Sequence, residues 1–235
     1  SRGLGDVYKR QDEIEIITVS STSEILSSII VNVVETGTRE DLAELFDARY
    51  LNKEFKSGGV SLERIGAGRQ NGSTHRVVWI YELGNRGLVS DTPQERGEYR
   101  RNFSNLVESW GEQYSGRIQS WQEGDTSKTP YFHIWLINPA DPDAFKKGHD
   151  KIVDALPEIF EDQGRTVGFG TFDINKQKGA SHWVGISGSN GSGDHINLIN
   201  EFQTTYAKKI QKHVEARGEV EITGSVMIQL LKRYM

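Results

Sequence analysis

The chain has no cysteine in its 235 residues. Disulfide frameworks, thiolate nucleophiles, zinc knuckles and iron–sulfur clusters are thereby excluded. The cellular compartment stays open, because a cysteine-free chain suits reducing and oxidising surroundings alike. Long apolar runs are also missing. The best, around Ile25 to Val34, is interrupted by Ser27, Ser28 and Asn32 and falls short of the roughly twenty residues that cross a bilayer, so no membrane partner is expected. Nor is charge of one sign in excess: 28 Lys and Arg face 33 Asp and Glu, a net of -5, which gives nothing to attract nucleic acid. The basic pairs Lys146-Lys147, Lys208-Lys209 and Lys232-Arg233 read as solvated charge.

Several chemical signatures are absent. There is no Gly-x-Ser-x-Gly elbow and no His-Glu-x-x-His spacing, so neither a serine hydrolase nor a metal site is expected. The run Gly188-Ser189-Asn190-Gly191-Ser192-Gly193 precedes a helix, where free amides attract anions. It lacks the P-loop lysine, and Asp194 would repel a phosphate, so a connecting loop is the better description.

What is present is an echo. Thr74-His75-Arg76-Val77-Val78-Trp79-Ile80-Tyr81-Glu82 returns as Ser181-His182-Trp183-Val184-Gly185-Ile186-Ser187. Each copy follows a glycine-containing turn, opens with a hydroxyl residue and a histidine, and leads through a loop into an amphipathic helix. An internal duplication is expected.

Residues 4–11 resemble translated sequencing-adaptor read-through of the kind found at the ends of metagenomic genes. Residues 1–11 are therefore expected to be a non-native tail, with the native start, and any signal peptide, missing; a genuine flexible tail would be equally unpacked. A short alternating run from Ile14 to Val19 predicts an edge strand. The first half, 12–123, then predicts a strand over Ile25–Glu35 and a helix after Thr38 carrying Leu42, Phe46 and Tyr50. A hairpin of Val60–Ile65 with Thr74–Leu83 around Asn71-Gly72 follows. Next comes a helix opened by Thr92-Pro93-Gln94-Glu95 and running through Trp110, then a short strand over Arg117–Trp121. Residues 124–129 read as a linker.

The second half, 130–235, repeats the order. A strand over Tyr131–Asn138 is followed by a helix capped at Asp141-Pro142 and cut at Pro157, and by a hairpin of Arg165–Ile174 with Ser181–Ser187. One long helix from Asp194 then places Ile196, Ile199, Phe202, Tyr206, Ile210 and Val214 inward, and a final strand, Val220–Leu231, has a bulge near Gly224.

Each half reads strand, helix, strand, strand, helix, strand, the ferredoxin-like order. Its strands carry apolar residues on both faces, and a bare apolar sheet must be covered. With the paired Thr74-His75 and Ser181-His182 strands, this pattern resembles the dimeric α/β-barrel superfamily in fused form. The resemblance implies an α+β fold in which two ferredoxin-like halves put their antiparallel sheets face to face in one barrel. That superfamily includes cofactor-free monooxygenases, haem-degrading and haem peroxidase relatives, small stress-response barrels and muconolactone isomerases.

The expected function is binding of a small, largely apolar molecule between the sheets, without a cofactor. The chain itself would be a monomer with pseudo-twofold symmetry or a loose homo-oligomer. The alternatives are a cofactor-free monooxygenase acting on an aromatic substrate, with His133 or His182 as proton acceptor, and a purely structural or partner-binding module. Candidate ligand-binding residues are Asn32, His75, Trp79 and Trp135; counting from the helix caps sets Ile30 against His133 and Asn32 against Trp135. Buried histidines bonded to their neighbours are the structural alternative. His149 invites comparison with a haem-ligating histidine, but its lysine-flanked setting reads as a solvated helix face.

Overall fold

The structure, a computed structural model, describes residues 24–33, 38–68 and 72–235; the side chains of residues 28–33, 38 and 39 lie outside the described set. The expected tail, the Ile14–Val19 strand and Asn71 of the first hairpin turn also lie outside the described residues.

The first half runs β1 (Glu24–Val33), α1 (Thr38–Tyr50), β2 (Gly59–Ala67), β3 (His75–Glu82), α2 (Pro93–Leu106) and β4 (Val107–Gln122). The second runs β5 (Tyr131–Pro139), α3 (Pro142–Ala155), the single turn α4 (Pro157–Phe160), β6 (Val167–Thr171), β7 (His182–Gly188), α5 (Gly191–Gln203), α6 (Ala207–Ala216) and β8 (Val220–Tyr234). Local chemistry sets these boundaries. Thr92 and Glu95 form a reciprocal capping box, the Thr92 hydroxyl accepting from Glu95 N at 3.2 Å and the Glu95 carboxylate from Thr92 N at 2.8 Å, which satisfies two donors that the first helical turn leaves free. The Asp141 carboxylate accepts from the amides of Asp143 and Ala144, and Pro157 separates α3 from α4 because it has no amide to donate.

All neighbouring strands pair antiparallel in the order β1-β3-β2-β8-β5-β7-β6-β4, and β4 returns to β1 to close a barrel. Each half contributes one four-stranded sheet, β4-β1-β3-β2 and β8-β5-β7-β6. The sheets face one another across the barrel and are also stitched edge to edge, β2 to β8 from Val60↔Tyr234 to Ala67↔Met227 and β4 to β6 from Ile118↔Gly170 to Gln122↔Val167. These seams improve on simple face-to-face packing, since they leave no row of unpaired edge amides. The pairing makes β1, β2, β5 and β6 run one way and β3, β4, β7 and β8 the other, so the pseudo-twofold axis lies along the barrel.

Three elements depart from expectation. The second helix stops at Leu106, and Val107 and Trp110 join β4 opposite Val33 and Val31. Residues with strand preference take the ladder that β1 offers, and Trp110, 52% exposed, still touches Phe103 with ring centres 5.5 Å apart. The long last helix is broken at Thr204–Tyr206, where the Thr204 hydroxyl donates back to the Asn200 carbonyl at 2.8 Å. Ile196 consequently faces solvent, while Leu198 and Ile210 face inward. Residues 124–129 pack onto the second half: Asp125 N donates to Gly164 O, and the buried Thr129 hydroxyl donates to the same carbonyl. The predicted irregularity near Gly224 lies where β5 and β8 shift register between Leu136 and Ile137.

The apolar residues form layers. Leu42, Phe46, Tyr50, Leu62, Val77 and Phe103 fill the space between the first sheet and α1 and α2. Leu156, Ile159, Phe160, Val167, Ile186, Leu198 and Ile210 do the same for the second sheet. Ile65, Tyr114, Ile118, Leu136, Val226 and Ile228 lie inside the barrel. Each fully buried Leu or Phe contributes about 1.5–3 kcal/mol.

Candidate functional site: the barrel lumen

The inward positions are Ser61, Glu63 and Ile65 on β2, Arg76, Val78 and Ile80 on β3, Phe132, Ile134 and Leu136 on β5, and Trp183 and Gly185 on β7. One end of the barrel is filled by the Ile65–Tyr114–Ile118 cluster. Toward the other end, where β1, β2, β5 and β6 begin, lies a cavity of about 80 Å³. Its walls include Leu26, Ile80, Trp121, Phe132, Ile134, Phe172 and Leu230.

The two halves furnish the cavity differently. In the first, Glu63 and Arg76 sit opposite one another on β2 and β3, and Arg76 Nε donates to Glu63 Oε2 at 2.6 Å. Ser61 Oγ donates to Glu63 Oε1 at 3.1 Å. In the second half the matching pair is Gly170 and Trp183, since Arg76 follows His75 as Trp183 follows His182. A β-carbon on Gly170 would come within 2.6 Å of the Trp183 ring, and one on Gly168 within 2.6 Å of the Trp121 ring. The alternating glycines of β6 therefore make room for two indoles. One wall is ionic and the other aromatic. At the rim, the Glu123 carboxylate accepts from Arg233 and, at 2.7 Å, from Trp121 Nε1. Burial pushes this carboxyl upward, but the two hydrogen bonds outweigh it and the net shift is below the usual range.

A second polar cluster lies outside the barrel wall, beneath the helices of the second half. His133 stacks on Trp135 with ring centres 4.0 Å apart and meets His195 edge-on at 5.5 Å. Burial, with His195 adding to it, pushes the His133 pKa down to about 4, and its Nδ1 has no hydrogen-bond partner among the described residues. His195 is shifted down by burial, although its Nε2 lies 3.3 Å from the Tyr131 carbonyl. Beside it, Arg165 holds Asp194 through two hydrogen bonds of 2.7 and 2.9 Å, and Ser189 N donates to the same carboxylate at 2.7 Å. Asp194 thus ties the glycine-rich loop to β6.

No protein-family model and no curated protein matches the sequence. Solved structures do match in fold. A candidate monooxygenase from Fusobacterium nucleatum subsp. nucleatum shares 14% identity at a TM-score of 0.54, over 90% of this chain and 94% of that one. A second candidate monooxygenase, from Lactobacillus acidophilus, shares 9% identity at a TM-score of 0.50, over 90% and 96% of the two chains. A chlorite dismutase variant from Candidatus Nitrospira defluvii aligns at a TM-score of 0.49 and 8% identity, over 90% and 92%. The closed, pseudo-twofold sheet and the likeness to the two candidate monooxygenases decide the architecture. The chain has the dimeric α/β-barrel fold.

Within this dimeric α/β barrel, the residues singled out from sequence do not meet in the lumen. His75, Trp79, His133, Trp135 and His182 all project outward beneath the helices, and the adjacent residues Arg76, Phe132, Ile134 and Trp183 line the cavity instead. Side chains alternate across a strand, so the strands were correctly located and the faces were exchanged. Asn32 lies on β1 opposite Ser109, and its side chain is outside the described set.

The half-to-half match is also corrected. His133 pairs with Ile186, four residues beyond His182, and Ser27 pairs with Trp79, four beyond His75. Ser27, not Ile30, is the counterpart of His133, because the connection to α1 is longer than that to α3.

The duplication is visible in hydrogen bonds as well. Thr74 Oγ1 lies 2.8 Å from His75 Nδ1, and Ser181 Oγ lies 2.8 Å from His182 Nδ1.

His149 is buried and not solvated. It lies 5.8 Å from the Phe169 ring, which itself stacks on His182 at 5.3 Å and on Phe145 at 5.3 Å. The imidazole is thus packed against protein, with Asp150 Oδ1 3.6 Å from its Nδ1.

The lumen had one legible signal. Gly168-Phe169-Gly170 alternates small and large, which in a strand marks close approach from one side.

Proposed function

We propose that the protein binds a small, largely apolar molecule inside the barrel, at the end bounded by Leu26, Ile80, Trp121 and Phe132. The supporting observation is a cavity walled by apolar side chains, with one ionic pair in its wall and a second at its rim, the composition of ligand sites in general. Gly185 supplies the test. A β-carbon there would meet Ile134 and Trp183 only at 3.7 and 3.9 Å, ordinary contact distances, so Gly185→Val should fold normally while its methyls occupy the cavity. Titration with methylenecyclopentane should shift the indole N–H resonances of Trp121 and Trp183 in the parent protein. In the variant, affinity should fall by about tenfold or more, a cost of the size expected for steric exclusion from a packed site. Equal affinity in the variant would remove the lumen as the site.

The oxygenase alternative places its chemistry elsewhere. Two fold neighbours are candidate monooxygenases, and His133, held neutral with an unbonded Nδ1, has the form of a proton acceptor. Substrate would then lie beneath the helices, against His75 and Trp79 in one half or His133, Trp135 and His182 in the other. Oxygen uptake on a hydroquinone probe, lowered about 100-fold by His133→Ala or His182→Ala, would support this route, that being the usual scale of a general base. Uptake unchanged by both substitutions would reject both histidines as base.

A further inference from the structure

The ionic wall of the lumen specifies more than an apolar ligand. Arg76 uses Nε on Glu63, and no acceptor meets its two terminal nitrogens among the described residues, although its side chain is only 13% exposed. These are donors of a charged group that lines the cavity and keeps access to solvent there, so a ligand that displaces that solvent without offering an acceptor forfeits hydrogen bonds to a charged group. A ligand that brings an acceptor oxygen to them is favoured over one that does not. The charge count then restricts that oxygen. Glu63 balances Arg76 and Glu123 balances Arg233, so the lumen carries no surplus positive charge to hold a desolvated anion.

We propose that the lumen selects neutral, ring-sized carbonyl compounds, with the carbonyl oxygen accepting from the Arg76 guanidinium and the ring lying against Phe132, Trp121 and Trp183. The inference rests on the lumen being the binding site. The cavity sets the size, being smaller than the roughly 150 Å³ apolar cavity that holds benzene. A five-membered ring with one substituent is therefore a suitable probe. The balanced pair also separates this ligand class from fatty acids and aromatic carboxylates, which would need a second cation.

Three probes of nearly equal size test it on the intact protein: cyclopentanone, methylenecyclopentane and cyclobutanecarboxylate, each followed by the indole N–H resonances of Trp121 and Trp183. Trp79, Trp110 and Trp135, which lie outside the lumen, serve as internal controls. The ketone is expected to bind about tenfold tighter than the alkene, the increment of a hydrogen bond to a charged group, and the carboxylate no tighter than the alkene. In Glu63→Leu/Arg76→Met the ketone-to-alkene ratio should fall to about one. Where that variant fails to fold, Arg76→Lys, which keeps the charge but not the fork of donors, should lower the ratio at least severalfold.

A ratio near one in the parent protein, a preference for the carboxylate, or a ratio that survives these substitutions would each overturn the proposal while leaving lumen binding intact. Probes that move neither lumen tryptophan up to their solubility would overturn lumen binding and this proposal together.

Discussion

Arg76→Met alone is expected to destabilise the protein by about 3–5 kcal/mol, and Glu63→Leu added to it to restore most of that loss. The asymmetry follows from burial. Glu63 is 7% exposed, and its carboxylate has two protein donors, Arg76 Nε and Ser61 Oγ. Removing the guanidinium leaves a carboxylate in the barrel with one neutral hydrogen bond and no counter-charge. Removing both members replaces two desolvated ions by side chains that suit the Ile80, Phe132 and Leu230 walls, an exchange that is often neutral or stabilising.

Urea unfolding at pH 7.5 of the two single variants and the double variant, with slopes compared to confirm one transition, measures the cycle. Two single losses that simply add in the double would show that the pair is not coupled and that solvent already compensates Glu63. An exposed pair such as Arg117 with Asp173, both members about half exposed, should by contrast change stability by less than about 1 kcal/mol.

How far the sequence could be read depends on the range over which each signal acts. Helix starts were legible because their determinants are local: Thr92, Pro93 and Glu95 lie within four residues, and the cap on α3 is Asp141 beside Pro142. The duplication was legible because Thr74-His75 and Ser181-His182 retain the same hydroxyl-to-imidazole bond. The face of each strand was not legible. A strand of this barrel is covered on both sides, by helices outside and by the opposite sheet inside, so both parities are apolar and alternation carries no sign. His75 and His182 share parity with Val77 and Val184, and nothing in those strands alone says that this parity lies beneath helices. The deciding information is non-local. It resides in Gly168 and Gly170, whose missing side chains matter only because Trp121 and Trp183, about fifty and fifteen residues away in sequence, occupy the vacated space. The same holds for Trp110, which sits at helical spacing from Phe103 but follows the ladder of β1. Local periodicity proposed the helix, and a partner strand overruled it.

Acid should weaken this fold well before its carboxylates titrate, and His149, the more deeply buried of the two histidines shifted furthest, is one leading cause. Burial pushes its pKa down to about 4, helped by Arg217 and Lys146 and opposed by Asp150. In the unfolded chain the same imidazole returns to about 6.5. A folded value below the unfolded one means that between these two the unfolded chain takes up a proton that the native state refuses. The associated stability is therefore complete above about pH 6.5 and lost as pH falls through about 4. The shift corresponds to about 3 kcal/mol in full, of which about 2 kcal/mol is already gone at pH 5.

His133, His182 and His195 are shifted in the same direction by burial, and so add to the loss over the same interval. The ion-paired Asp194 and Asp173, whose pKa values are lowered, lose their contribution only at lower pH. Guanidinium unfolding at pH 7.5 and pH 5.0, performed on the parent protein and on His149→Leu, separates these contributions. His149 Nδ1 has no hydrogen-bond partner among the described residues, so leucine forfeits little at pH 7.5 and should remove about 2 kcal/mol of the difference between the two pH values. A variant that loses as much stability as the parent on going to pH 5 would show that His149 is already hydrated or partnered in solution, and that the sensitivity lies with the His133–His195 pair.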